Sequence, residues 1–138
     1  MKRIALTLGL LMGFLVGPMA FGHGESKLGP HKGYIRMPGA FHTEITPAGK
    51  DKFKVYLLDI NFKNPSMNKS KLEIKVTHQD KESPVKCGSK KDHYFCELPE
   101  GFSLKEGKLI VNAVREDLPG ADVTYDLPLK AGDMHGGM

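Results

Sequence analysis

The chain contains no tryptophan and only two cysteines in 138 residues, and aromatic residues make up 8% of it. The lack of tryptophan leaves little of the flat aromatic surface on which a polysaccharide substrate would stack. The two cysteines, Cys87 and Cys96, do not have the CxxC spacing of a redox centre or thiolate metal site. A lone pair of cysteines in an oxidising compartment predicts one structural disulfide, here across a hairpin.

Motifs of catalysis and of nucleic-acid binding are also missing. There is no Gly-x-Ser-x-Gly elbow, His-Glu-x-x-His helix, phosphate-binding glycine-rich loop or dinucleotide fingerprint. The formal charge of +4 comes mostly from lysines spread through the sequence, whereas nucleic-acid surfaces concentrate Arg and Lys around aromatic platforms. We therefore expect neither an enzyme nor a nucleic-acid partner.

A long apolar run occurs only at the start of the chain. Lys2 and Arg3 precede 13 residues without a charge, Ile4 to Val16. This run is too short to span a bilayer comfortably, and it is typical of a cleavable signal peptide. Small residues favour cleavage after Gly22, and a competing site follows Ala20. We expect a periplasmic or secreted protein that has no membrane span once residues 1–22 are removed.

The rest of the chain has the alternation and turn spacing of β structure. Lys71 to Thr77 alternates polar and apolar residues, which is the period of a half-buried strand. No segment of ten or more residues repeats its apolar positions with the 3.6 period of a helix. Strands are predicted over residues 33–37, 41–46, 53–62, 71–77, 83–87, 93–98, 108–115 and 121–129.

This spacing of strands predicts the fold class. Seven or eight short strands separated by Gly- and Pro-containing turns indicate an all-β protein, a single antiparallel β-sandwich of immunoglobulin-like shape. A small closed barrel is the alternative. Residues 23–130 would form this one domain, and residues 131–138 a flexible tail rich in Met and His.

The first histidine falls at the predicted cleavage site. Cutting after Gly22 would make His23 the amino-terminal residue, with a free α-amine and an imidazole that can chelate one metal ion. The amine has an ordinary pKa of about 8 and the imidazole one of about 6.5, so both can release a proton to a metal near neutral pH. Nitrogen ligands of this kind suit Cu(II).

Three further candidate ligands follow within the next residues. His31 precedes a predicted strand, and His42 and Glu44 lie two residues apart on the next strand, so that they share one face. Imidazoles and a carboxylate held in this way suit a first-row transition metal. The alternative is that His31 caps a turn, while His42 and Glu44 are ordinary polar residues on an exposed face.

These residues carry a resemblance. His31-Lys32-Gly33, followed by Phe41-His42-Thr43-Glu44-Ile45, resembles the His-Gly-Gly…His-x-Glu segment of small periplasmic proteins and adaptor subunits of heavy-metal efflux systems, with Lys32 where that segment usually repeats glycine. A signal peptide, a possible terminal His and a small β-sandwich together are similar to the periplasmic copper-binding CopC-like proteins. The resemblance implies copper or a related metal and a role as carrier or resistance protein.

The tail contains a second group of candidate ligands. Met134, His135 and Met138 offer two thioethers and an imidazole that could capture Cu(I) on a glycine-rich end. The alternative is a tail without function, because Met and His in such a segment need no special explanation. The remaining histidines, His78 and His93, are expected to be exposed or locally bonded rather than ligands.

Three functions are compatible with these patterns. We favour a non-catalytic periplasmic metal-binding protein, with a copper ion as its ligand and a periplasmic or membrane metal-transport protein as its partner. The second is a secreted β-sandwich that binds another exported protein and whose histidines are incidental. The third is a small copper oxidase that uses the terminal histidine, which the missing catalytic signatures disfavour. The fold alone does not choose among them.

Overall fold

A computed structural model describes residues 27–131 of the chain. Within these residues it contains ten β-strands, and none of the described segments is a helix that could cross a membrane. The strands are β1 (Tyr34–Arg36), β2 (His42–Pro47), β3 (Lys52–Leu58), β4 (Lys71–His78), β5 (Lys81–Pro84), β6 (Lys86–Ser89), β7 (Tyr94–Glu97), β8 (Gly107–Arg115), β9 (Leu118–Pro119) and β10 (Val123–Leu127). The predicted signal peptide and nearly all of the predicted tail lie outside the described residues.

The strands form two antiparallel sheets. The first sheet has the order β1-β2-β3-β7-β6, and the second has the order β10-β8-β4-β5, with the short β9 beside β8. Side chains of both sheets share one core, in which Phe53, Leu57, Leu109 and Tyr125 have no exposed surface. Removing this apolar area from water is the main force that holds the sheets together. The predicted all-β, sandwich-like fold is confirmed.

The outer face of the first sheet is buried as well at its centre. Ile35 and Leu58 have no exposed surface, Tyr56 is 8% exposed, and Phe62 packs against them. Strand β3 is therefore covered on both faces, as its long apolar run predicts. This second, smaller apolar cluster lies on the side of the protein that carries His31 and His93, whose rings contact Tyr56.

Strand β3 ends four residues earlier than the predicted strand over residues 53–62. The chain turns after Leu58, because the Asp59 carboxylate accepts hydrogen bonds of 2.9 Å from the backbone N–H groups of Asn61 and Lys63. Phe62 adopts a left-handed backbone conformation with φ of 62°. A short acidic side chain that bonds its own backbone competes with a strand ladder, which explains the early end.

The predicted strand over residues 83–87 is divided between the two sheets. Its first part lies in β5, which pairs with β4, and its last part lies in β6, which pairs with β7. The chain crosses between the sheets at Val85, whose side chain is buried in the core and whose N–H donates to the Ile74 carbonyl. This division and the two-residue β9 account for ten strands where seven or eight are predicted.

The two cysteines lie directly opposite each other in the hairpin of β6 and β7. They are bonded as a disulfide, with 4.1 Å between their Cα atoms. Cys96 is completely buried in the core. The predicted pairing is confirmed, and the bond fixes the hairpin whose connecting loop holds Asp92 and His93.

We predict that the disulfide makes a substantial contribution to stability. Replacing both Cys87 and Cys96 by Ala should lower the free energy of unfolding by about 2–3 kcal/mol, because the cross-link restricts the unfolded chain. Urea unfolding followed by circular dichroism measures this difference. Wild-type protein in the presence of reductant is the matched control and should lose a similar amount. Equal stability of the oxidised and reduced wild-type protein would contradict the prediction.

Candidate metal centre

The candidate site is built on the outer face of the first sheet. Ile35, Glu44 and Tyr56 lie side by side on β1, β2 and β3 in the strand register. Tyr94 of β7 pairs with Val55, so the preceding residue continues this row next to Tyr56. The row therefore places His93, from the loop between β6 and β7, beside Tyr56.

Glu44 is the centre of this arrangement. Its side chain has no exposed surface, yet it carries a carboxylate, which needs partners when it is buried. One oxygen, Oε2, accepts hydrogen bonds of 2.9 Å from the backbone N–H groups of His31 and Gly33. The other, Oε1, lies 2.6 Å from Nδ1 of the His31 ring. Glu44 therefore ties residues 31–33 down on the sheet.

The sequence around His31 fits this contact closely. Lys32 has a left-handed backbone with φ of 59°, which turns the chain so that the N–H groups on both sides of it point to one carboxylate. A Cβ atom added to Gly33 would come within 2.6 Å of the Ile45 carbonyl and 2.7 Å of the Glu44 side chain. Glycine is required at this position because the backbone lies directly on β2. The His31-Lys32-Gly33 motif and Glu44 are thus one structural unit.

The His31 ring is held by two neighbours. It stacks on Tyr56 with 3.7 Å between ring centroids and an angle of 6° between the planes. Because an ionised carboxylate only accepts hydrogen bonds, Nδ1 of His31 must donate to Glu44. In the neutral ring this leaves the Nε2 lone pair available, and the side chain remains 33% exposed.

His93, at the β7 end of the row, also has a carboxylate contact, but its ring is tilted by 38° against Tyr56 rather than stacked on it. Its ring lies 5.1 Å from the Tyr56 ring, centroid to centroid. Its Nδ1 lies 2.7 Å from the Asp92 carboxylate, and its side chain is 17% exposed. The hydrogen bond with His93 is the main cause that lowers the pKa of Asp92. Burial opposes this shift, and positive charge on His93 and His31 lowers the pKa further.

Tyr56, which contacts both rings, remains a neutral phenol. Burial raises the pKa of its hydroxyl, and the negative charges of Asp92 and Glu44 raise it further. Ionising this hydroxyl would place a third negative charge between two carboxylates. The tyrosine consequently acts as an aromatic surface that positions the two imidazoles.

His42 is placed apart from this cluster. It is 2% exposed, stacks on Phe62 with 4.0 Å between ring centroids, and its Nδ1 lies 3.1 Å from the Asp59 carbonyl. A carbonyl can only accept, so His42 donates from Nδ1. It shares the outer face with Glu44, as predicted, but its described contacts are with the turn after β3. The alternative that His42 and Glu44 are ordinary polar residues on an exposed face is wrong, since both side chains are buried.

The predicted ligands have different outcomes. His31 and Glu44 come together, His42 lies beside them in other contacts, and His23, Met134, His135 and Met138 lie outside the described residues. Between residues 27 and 131, no three His, Cys, Asp or Glu side chains are placed to hold a metal ion by themselves. The predicted ligand set therefore stays a prediction.

Sequence reasoning missed the position of His93. The sequence predicts that His93 is exposed or locally bonded rather than a ligand. Its bond with Asp92 agrees with local bonding, whereas its approach to Tyr56 follows from the pairing of β3 with β7. No local motif encodes that pairing. The signal that could have found it is the register: a hairpin with Cys87 opposite Cys96 fixes the inward side chains of β7, so His93 must point to the outer face.

Comparison of the chain with protein-family models, with curated proteins and with solved structures found no match.

We predict that Glu44 is required for stability. Replacing it by Gln, which removes the charge and one acceptor, should lower the free energy of unfolding by about 1–3 kcal/mol, because buried donors lose their charged partner. Glu73→Gln, an exposed position on β4, is the matched control and should change it by less than about 0.5 kcal/mol. Chemical unfolding measures both. Equal effects of the two substitutions would contradict the role of Glu44.

We also predict that Asp92 titrates below its ordinary value of about 3.9, because its pKa is lowered mainly by the bond with His93. The stabilisation that this residue gives is then fully present above about pH 4 and is lost as the pH falls through the lowered pKa. Carboxyl chemical shifts measured by NMR against pH report the midpoint. In His93→Gln the midpoint should rise toward the ordinary value, and an unchanged midpoint would contradict the contact.

Proposed function

We propose that this protein is a periplasmic metal-binding protein, with copper as the favoured metal, that carries the ion or protects the cell from it. One observation carries the proposal. The two imidazoles of the cluster, His31 and His93, each have Nδ1 held by a carboxylate. The distance is 2.6 Å from His31 to Glu44 and 2.7 Å from His93 to Asp92. Each ring is thereby fixed in direction and keeps Nε2 as its free nitrogen.

This arrangement is the one that metal-binding histidines commonly have. A ligating imidazole usually donates its other ring N–H to a carboxylate or carbonyl, which fixes the tautomer and makes the ligating nitrogen more basic. Here Glu44 and Asp92 supply the carboxylates, and Tyr56 supports both rings. In this proposal Glu44 orients His31 rather than binding the ion, because its two oxygens are already used by His31 and Gly33.

Further ligands would come from the amino terminus. His23 is four residues before Lys27, and an extended chain of that length reaches about 14 Å. If cleavage occurs after Gly22, its α-amine and imidazole would add two nitrogens to those of His31 and His93. A site of several nitrogens and no thiolate favours Cu(II) among the first-row metals. Both described cysteines are in the disulfide and are not available as ligands.

A binding role agrees with the rest of the molecule better than catalysis. The sequence has none of the catalytic motifs named above, and the disulfide is typical of proteins from an oxidising compartment. The resemblance to segments of heavy-metal efflux proteins also points to metal handling. A metal-transport protein of the periplasm or membrane is the partner that such a carrier would serve.

Copper titration of the mature protein tests this function. We expect one Cu(II) per chain, and His31→Ala, His93→Ala and a one-residue extension before His23 should each weaken its binding at least about tenfold, because each removes a ligand nitrogen or breaks the terminal chelate. His78→Ala is the matched control: that histidine contacts Glu106 in another part of the protein, and its loss should not change the affinity.

Three results would contradict the proposal or relocate the site. Absence of stoichiometric binding at pH 8 would reject a metal function. Equal affinity of the wild type and the His31 and His93 variants would remove the described cluster from the site. Loss of binding on deletion of residues 134–138 alone would place the metal in the tail. For the proposed site, affinity should fall from about pH 8 to pH 5, as amine and imidazoles take up protons.

A further inference from the structure

Five lysines lie on the strands and the loop next to the histidine cluster. Three of them are strand residues of the first sheet, and two belong to the loop that also contains Asp92 and His93. We refer to these residues as the lysine face: Lys52, Lys54, Lys86, Lys90 and Lys91.

The strand register determines the direction of the three strand lysines. Phe53 and Cys96 point into the core, so their neighbours along β3 and β7 point to the outer face. Lys54 follows Phe53 on the face that also carries Tyr56. Lys52 and Lys86 both pair with Glu97, one on each side of β7. These side chains therefore lie on the face that carries the two histidines.

The charges of this face are only partly compensated within the described part of the protein. None of the five lysines forms an ion pair with a described carboxylate. Three carboxylates lie on the same face: Glu44, which bonds His31, Asp92, which bonds His93, and Glu97. The outer face of the second sheet differs, because Lys75 pairs with Glu82 at 3.6 Å and Lys108 with Asp126 at 4.0 Å. One face of the sandwich is balanced, whereas the other has an excess of positive charge.

The excess of positive charge affects any metal ion bound by the neighbouring histidines. Positive charges nearby make the binding of a further cation less favourable, and an acidic surface placed over them reverses the effect. Little on this face could enter a membrane, because Phe95 is the apolar residue among the strand lysines and it is itself half-buried. Charge complementarity thus favours a protein segment rich in Asp and Glu over a lipid surface.

We propose that the lysine face is a docking surface for a protein partner with an acidic segment, which covers the histidine cluster and thereby favours transfer of the metal ion. The idea that the partner and the ion act on the same site rests on the proposed metal function, whereas the docking itself does not. Binding of the acidic segment and of the metal should strengthen each other, since each reduces the electrostatic cost of the other.

The test uses a fluorescein-labelled peptide of ten glutamates as the probe and fluorescence anisotropy of the full mature chain at low salt. Lys52→Gln/Lys54→Gln/Lys86→Gln should weaken peptide binding about tenfold or more, and raising the salt should weaken the wild type as well. The matched control is Lys71→Gln/Lys81→Gln/Lys105→Gln, three exposed lysines elsewhere with the same change in net charge. It should alter the affinity less than about twofold.

Each outcome distinguishes the proposals. Equal weakening by the two triple variants would overturn the docking surface and leave only an effect of net charge. Absence of peptide binding, combined with binding of phosphatidylglycerol vesicles that depends on the lysine face, would also overturn it in favour of a membrane. If the wild type binds the peptide through this face but binds no Cu(II), docking stands and the metal function fails. If Cu(II) binds but does not strengthen peptide binding, the coupling is wrong.

Discussion

The buried carboxylate of Glu44 is the interaction on which the candidate site depends. A fully buried negative charge is costly unless it is satisfied, and here it is satisfied by two backbone N–H groups and one imidazole of the segment 31–33. The same three bonds hold that segment on β2 and aim the His31 ring over Tyr56. The bonds that stabilise the outer face therefore also orient the candidate ligand His31.

A second constraint acts from the other side of Tyr56. The disulfide between Cys87 and Cys96 ties β6 to β7, and Asp92 holds His93 in the loop that connects these strands. His31 and His93 are 62 residues apart in sequence (93 minus 31), and both rings contact Tyr56 with Nδ1 held by a carboxylate. An imidazole that donates Nδ1–H to a carboxylate is a common arrangement of metal-binding histidines, and the proposed site uses both pairs.

Much of the fold is predictable from local sequence. The alternation in Lys71–Thr77 and the apolar run after Phe53 predict strands β4 and β3, and the cysteine spacing predicts the hairpin. Two features of the fold are not encoded in local patterns. Strand β3 ends early because the Asp59 carboxylate binds the backbone N–H groups that follow it. The chain changes sheets at Val85, whose side chain is buried in the core.

The candidate site also has one part that local sequence predicts and another that depends on long-range contacts. The pattern of His31, His42 and Glu44 predicts a functional cluster, and His31 and Glu44 are indeed joined. The burial of His42 against Phe62 and the approach of His93 to Tyr56 depend on the turn after β3 and on the pairing of β3 with β7. These are long-range contacts, which spacing along the chain does not reveal.

The most direct test of the central claim is the protonation of the two imidazoles before and after metal is added. Long-range ¹H–¹⁵N NMR at about pH 8 should show His31 and His93 protonated on Nδ1, with Nε2 unprotonated, and a small amount of Cu(II) should broaden these two rings before His78. Protonation of both rings on Nε2, or broadening of His78 first, would contradict the account.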